Sequence, residues 1–316
     1  MNTPKFQNFT DRLDLLAPLS PTIAGTIVKI LQSIVEGFQR DRRGNGDDPS
    51  GVEISTSIPL RRVPKLPDAN HIDGRYRYVS AIAHTLSGRY QSPPLRIATQ
   101  LYSDAAKLPL DRAQPLVFQL SSDDRGYLYF DLTAVSIGRW LEYLHQDLAL
   151  PDLAPAPYQP RAEGRWCLDI AIYARARCQS LLRLAQSQQC IDLDQDWHIS
   201  TPSPLFSSRD ILQAGQTPFL PPSVRLFEDS AEGSLIQSLM DVLDGIHRYQ
   251  SIDAAKLAID LAQAWLEFHR DCRMWGDVKQ HHPDTAIARW GLTAIVGRYL
   301  HFLLTARLGV DTPLEF

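Results

Sequence analysis

Residues 147–164, DLALPDLAPAPYQPRAEG, contain four prolines and no apolar periodicity, and they separate two stretches whose patterning differs. Proline fixes φ and removes a backbone donor, so this run reads as a stiff, extended connector and not as part of a helix or a central strand. The chain is therefore expected to fold as two bodies: a domain over residues 1–150, a linker over 151–163 and a second domain over 164–316. A length of 316 residues suits two domains as well.

Before the connector, helix and strand signals alternate. Ile23, Ile27, Ile30, Leu31, Ile34, Val35 and Phe38 fall on one face of a helix between Pro21 and Arg40, with Ser20 as its cap. VEISTSIP, from Val52 to Pro59, alternates like a strand, and YRYVSAIAHTL, from Tyr76 to Leu86, reads as a helix. A further helix follows Pro93 and Pro94, PLVFQL and GYLYFDL form a strand pair, and Val135 to His145 closes the unit as a helix. The expected fold class of this part is α+β. After the connector the pattern is helical over Trp166–Ser187, Ser234–Tyr249, Ile252–Met274 and Asp284–Leu308, which predicts a helical bundle. The Pro- and Ser-rich stretch from Ile199 to Pro222 reads as an exposed excursion.

Charge narrows the functions open to such a chain. The formal charge is −4, neutral over residues 1–163 and acidic over the remainder, so any grip on phosphates must come from a local patch. Cys167, Cys178, Cys190 and Cys272 have no CxxC spacing and suit a reducing cytoplasm. No run approaches the ~20 apolar residues of a membrane span, and the N-terminal residues lack the pattern of a secretory signal. His281 and His282 flank Pro283 with no ligand spacing, so no metal or other cofactor is expected. No serine, cysteine or histidine constellation identifies a nucleophile.

The segment DIAIYARARCQSLLRLA, Asp169 to Ala185, resembles the opening helix of the anticodon-binding DALR domain of arginyl-tRNA synthetases. SLIQSLMDVLDGI, LAQAWLEFHRDCRMWGD and the ending LLTARLGVDTP are similar to later parts of that domain, in the same order. DGRYRYVSAIAHTL, SPPLRIATQLY, GYLYFDLT and IGRWLEYL resemble the amino-terminal domain of the same family. The resemblance implies an α+β amino-terminal domain followed by an all-α DALR-type bundle. It also implies a non-catalytic paralogue, because the aminoacylating Rossmann domain with its HIGH-type motif is replaced by the connector.

Anticodon-type recognition needs aromatic or guanidinium planes for unstacked bases and cations for phosphates. The candidates in the second domain are Tyr173, Arg177 and Arg183 on the first DALR-like helix, with Arg175 on another face, then His269, Arg270, Arg273, Trp275, Arg289 and Arg298. In the first domain Arg75, Tyr76, Arg77 and Tyr78 interleave cations with aromatics, and alternation could equally place the tyrosines inside. Two functions follow as expectations. One is binding of tRNA or another structured RNA without aminoacylation. The other is regulation, by docking or inhibition, of a protein of RNA metabolism such as a ribonuclease E type nuclease.

Overall fold

The computed structural model describes residues 13–17, 20–44, 58–63, 76–108, 116–146, 165–194, 198–200, 205–206, 229–248 and 253–310. The chain is rich in helix with a small antiparallel sheet, and it divides into two compact units, 1–136 and 137–316. The proline-rich connector, most of VEISTSIP and Arg75 lie outside the described residues.

In the first unit the sheet runs β1 (Leu13–Ala17), β4 (Leu116–Ser122), β5 (Leu128–Leu132), β3 (Arg77–Ser80), β2 (Leu60–Arg62), every neighbouring pair antiparallel. Its helices are α1 (Ile23–Gly44), α2 (Ile82–Tyr90) and α3 (Pro94–Ala105). All seven apolar positions expected on one face of α1 are buried. Its cap is Thr22 and not Ser20: the Thr22 hydroxyl accepts the Gly25 amide at 3.0 Å, satisfying a donor that the first turn leaves open.

The segment RYVS, Arg77–Ser80, is strand and not helix, with Tyr76 leading into it. Tyr76, Tyr78 and Ser80 point inward and Arg77 and Val79 are only partly covered, the period-two pattern of a half-buried strand paired with β5. The helix begins only at Ile82, so the expected helix over Tyr76–Leu86 is corrected in its first half. The last helix of this region, α4, covers Ala134–Gln146, and its N-terminal turn is tied to β4 by the Ser136 hydroxyl, which bonds both Val117 N and Val117 O at 2.9 Å.

The division between the units falls inside α4, after Ser136, ahead of the connector at which the sequence places it. The reason is that Glu142, Leu144 and His145 bond to residues of the second unit. That unit holds α5 (Arg165–Ser187), the short hairpin β6–β7 (Asp192–Leu193, Ile199–Ser200), α6 (Ser230–Arg248), α7 (Ala254–Asp271), α8 (Asp277–His281) and α9 (Pro283–Phe302). A π-helical turn, Leu303–Arg307, ends α9. The helical half is thus not free of strand, and α8 is an element that the sequence reading lacks. Asp284 lies in the first turn of α9 without a side-chain capping bond. α9 carries apolar and small residues around nearly its whole circumference and is buried on most sides, as the innermost helix of a bundle must be.

The excursion expected from Ile199 onward is anchored where it is described. Glu142 accepts the amides of Leu205 and Phe206 at 2.8 and 3.1 Å, and His145 Nε2 lies 3.1 Å from the Ile199 amide. Leu205 and Phe206 are buried. Phe206 approaches the α9 backbone at Gly291, where a Cβ would meet the ring at 2.6 Å, so only glycine fits there.

These anchors predict a pH dependence. Burial pushes the His145 imidazole down from 6.5 to about 4. Between those values the unfolded chain binds a proton that the folded chain excludes, so stability falls as the pH falls, by on the order of 3 kcal/mol at pH 4. Burial raises the Glu142 carboxyl, which acts with the opposite sign, favouring the folded state below the ordinary carboxylate value and opposing it as the pH rises. His247, His269 and His301 are lowered by burial too, so His145 must be isolated by substitution. Thermal melts of His145→Gln and the parent from pH 7 to pH 4 are expected to diverge in slope, the variant losing less. Parallel curves would remove His145 from the account.

Candidate partner-binding surface

α5 is two-faced. Leu168, Ala171, Ala174, Cys178, Leu181, Leu182 and Ala185 are buried, while Tyr173, Arg177, Ser180 and Leu184 fall within about 60° on one outward stripe at 100° per residue. Gln188, whose amide still bonds the Leu184 carbonyl at 3.0 Å, continues the stripe. Tyr173 and Leu184, 49% and 45% exposed, are two of the three exposed large apolar side chains among the described residues. The third, Leu95, belongs to the first unit.

The C-terminal end of α7 and the turn into α8 lie against this stripe. His269 stacks on Trp265, ring centroids 5.3 Å apart with planes 9° from parallel. Burial, and after it the positive charge of Arg177, holds the His269 imidazole below its ordinary range. Further along, the Trp275 indole donates to the Gln188 side-chain oxygen at 3.1 Å and meets Trp290 edge-on at 5.7 Å. Gly276, at φ +68°, takes the left-handed backbone that turns the chain into α8. His269, Cys272, Arg273, Met274, Trp275 and Gly276 line a shallow recess of about 390 Å³.

The expected site residues separate clearly. Tyr173, Arg177, His269, Arg270, Arg273 and Trp275 belong to α5 or to the end of α7 and its following turn. Arg270 is exposed and bonded to its neighbour Asp271 at 2.8 and 3.0 Å. Arg183 is half-buried and already engaged in an interaction. Arg175 is buried, on a different face of α5 as expected. Arg289 is turned inward: its Nε donates to Glu232 at 2.7 Å and its Nη1 to the Arg273 carbonyl at 2.6 Å. Arg298 is buried and donates to the Leu144 and His145 carbonyls, which end α4.

In the first unit the candidate group dissolves into structure. Tyr76 and Tyr78 are buried, and Arg77 makes a bidentate pair with Asp131 at 2.6 and 2.8 Å while lying over the Tyr129 ring. As placed, neither tyrosine offers a ring face to a base.

No protein-family model, curated protein or solved structure matches this chain. Among the second-unit candidates, Arg177 and Arg273 are exposed guanidiniums with no carboxylate partner among the described residues. Leu184 and Gln188 complete the surface, buried Met274 lines the recess, and none of the three is among the site residues expected from sequence. Leu184 was within reach, because it shares the Tyr173 and Arg177 face by helical spacing; Met274 and Gln188 follow helix ends, where spacing no longer predicts direction.

Proposed function

We propose that this chain is a non-catalytic docking protein, and that the α5 stripe with the α7–α8 turn receives a partner protein of RNA metabolism. The observation that carries this reading is the composition of that surface: exposed Tyr173 and Leu184 beside a half-buried indole, with only Arg177 and Arg273 left uncommitted of the cations expected there. A grip made mainly through nucleic-acid phosphates engages roughly six to ten of them. Among the described residues of this surface two guanidiniums lack a carboxylate partner, in a unit whose sequence over residues 164–316 is acidic, and two supply far fewer. Exposed aromatic and apolar groups with arginine are the composition of protein-binding hot spots. The non-catalytic part of the reading rests on the sequence, where residues 147–164 leave no room for a nucleotide-binding domain between regions that resemble the two ends of an arginyl-tRNA synthetase.

One observation favours RNA as a second reading. Tyr173 is exposed one helical turn from Arg177, which suits a base laid on the ring with its phosphate on the guanidinium. Two measurements separate the readings. Gel-shift titration with total tRNA over a salt series is expected to show weak binding, with a log–log salt slope near two or below. A pull-down with the full chain is expected to keep its partner after nuclease treatment and to lose it with Tyr173→Ala. Tight tRNA binding at physiological salt, or disappearance of every retained protein once RNA is digested, overturns the docking reading in favour of RNA.

A further inference from the structure

We infer that the segment received at this surface is acidic and anchored by an apolar side chain: its apolar residue enters the recess behind Leu184, and its carboxylates pair with Arg177 and Arg273. This rests on the docking reading and specifies the chemistry of the partner.

The position of the recess is fixed from two sides. Gln188 holds the Trp275 indole at one end, and α5 packs along α7 with the Arg177 charge acting on His269 towards the other, so the stripe that carries Leu184 runs beside the recess. The recess interior offers little for a polar guest. Cys272 and Met274 are buried, the Cys272 thiol is pushed up to about 12 mainly by burial, and the His269 ring is stacked on Trp265 with its basicity lowered by burial. A volume of about 390 Å³ is at the scale of a recognition pocket and exceeds one aliphatic or aromatic side chain.

The charges around it decide the sign of the guest. Arg177 and Arg273 have no carboxylate partner among the described residues, whereas Arg270 has Asp271 beside it. A guanidinium fork pairs bidentately with a carboxylate, and two such forks at a carbon-lined recess select acid flanking an apolar residue. Asp169, one turn before Tyr173 on the same stripe, is the acid at the far end and disfavours extension of an acidic segment in that direction. Among the nearer acids, Asp271 is paired with Arg270 and Glu232 with Arg289, Asp229 acts on the buried Cys272 thiol, and Asp277, exposed after Gly276, opposes the two guanidiniums with a single charge; salt screens the more distant acids beyond about 8 Å. A basic segment would leave both arginines facing like charge.

The test selects twelve-residue peptides by phage display on the full chain and measures fluorescein-labelled winners by fluorescence anisotropy. Enriched sequences are expected to hold Leu, Phe or Trp flanked by Asp or Glu. Arg177→Glu with Arg273→Glu is expected to weaken the winners at least tenfold, and a peptide with Lys in place of the acids is expected to recover binding to that variant. Leu184→Ser is a second probe that leaves charge untouched, and all three substitutions are exposed, so melting curves are expected to stay near that of the parent. No enrichment, enrichment of neutral or basic sequences, indifference to both charge reversals, or displacement of the peptide by total tRNA at comparable concentration overturns the inference. If the nuclease-resistant partner is still captured but ignores the charge reversals, docking stands and this chemistry fails; if no partner is captured, docking itself fails.

Discussion

Arg289→Met is expected to lower the unfolding free energy of the second unit by about 3–5 kcal/mol. Glu232, in the first turn of α6, is fully buried, and the Arg289 guanidinium, 11% exposed, bonds it at 2.7 Å. The α6 N-terminus favours a carboxylate at that position, by up to ~2 kcal/mol when partly buried, which is less than the cost of leaving the charge without its guanidinium. The same change frees the Arg273 carbonyl, so the turn that carries Arg273 is expected to loosen with it. Urea unfolding of the variant, of Glu232→Gln and of the double variant forms a cycle that isolates the pair. The double variant is expected to recover much of the loss, because no buried charge remains. A loss under about 1 kcal/mol in Arg289→Met would show that the carboxylate is satisfied by its other contacts.

Arg298→Leu is expected to cost about 2–4 kcal/mol, and Arg298→Lys somewhat less. The guanidinium reaches two successive carbonyls at the end of α4, Leu144 O at 3.0 Å and His145 O at 3.1 Å. A helix end leaves carbonyls without intrahelical partners, and here a side chain of α9 donates to two of them. A leucine leaves both acceptors dry and unmatched, and an ammonium lacks the fork that spans them. Hydrogen exchange is expected to accelerate at the amides of the last turn of α4 in both variants. Unchanged exchange there, with a stability loss under about 0.5 kcal/mol, would mean that the contact is incidental to the helix end.

The elements legible in the sequence were those whose burial pattern is local. α1 was readable because seven apolar residues repeat at helical spacing over sixteen positions, and the strand pair β4–β5 because two apolar runs flank one turn. β1 was missed because LDLLA is strand only through pairing with β4, about a hundred residues away, and nothing within five residues signals that partner. YRYVS misled for a related reason: it is short and runs almost directly into α2, so the helical period that follows absorbed it.

The site divides along the same line. Tyr173, Arg177 and Leu184 share a face that spacing alone defines, and Arg273 and Trp275 follow at the end of a recognisable helix. Arg289 and Arg298 carry the same residue type, yet both turn inward, because each has a buried oxygen within reach: the Glu232 carboxylate for one, the end of α4 for the other. A sequence displays the guanidinium and hides its acceptor. Glu142 is a parallel case, an acid in a helix whose partners are two amides some sixty residues on.

Arg289 has one nitrogen on the interior carboxylate and another on the outer turn, which ties the stiffness of that turn to the folding of the core. Whatever alights beside Arg273 meets a backbone already immobilised, so the ordering entropy that a slack loop would surrender at each encounter has been spent before the visitor arrives.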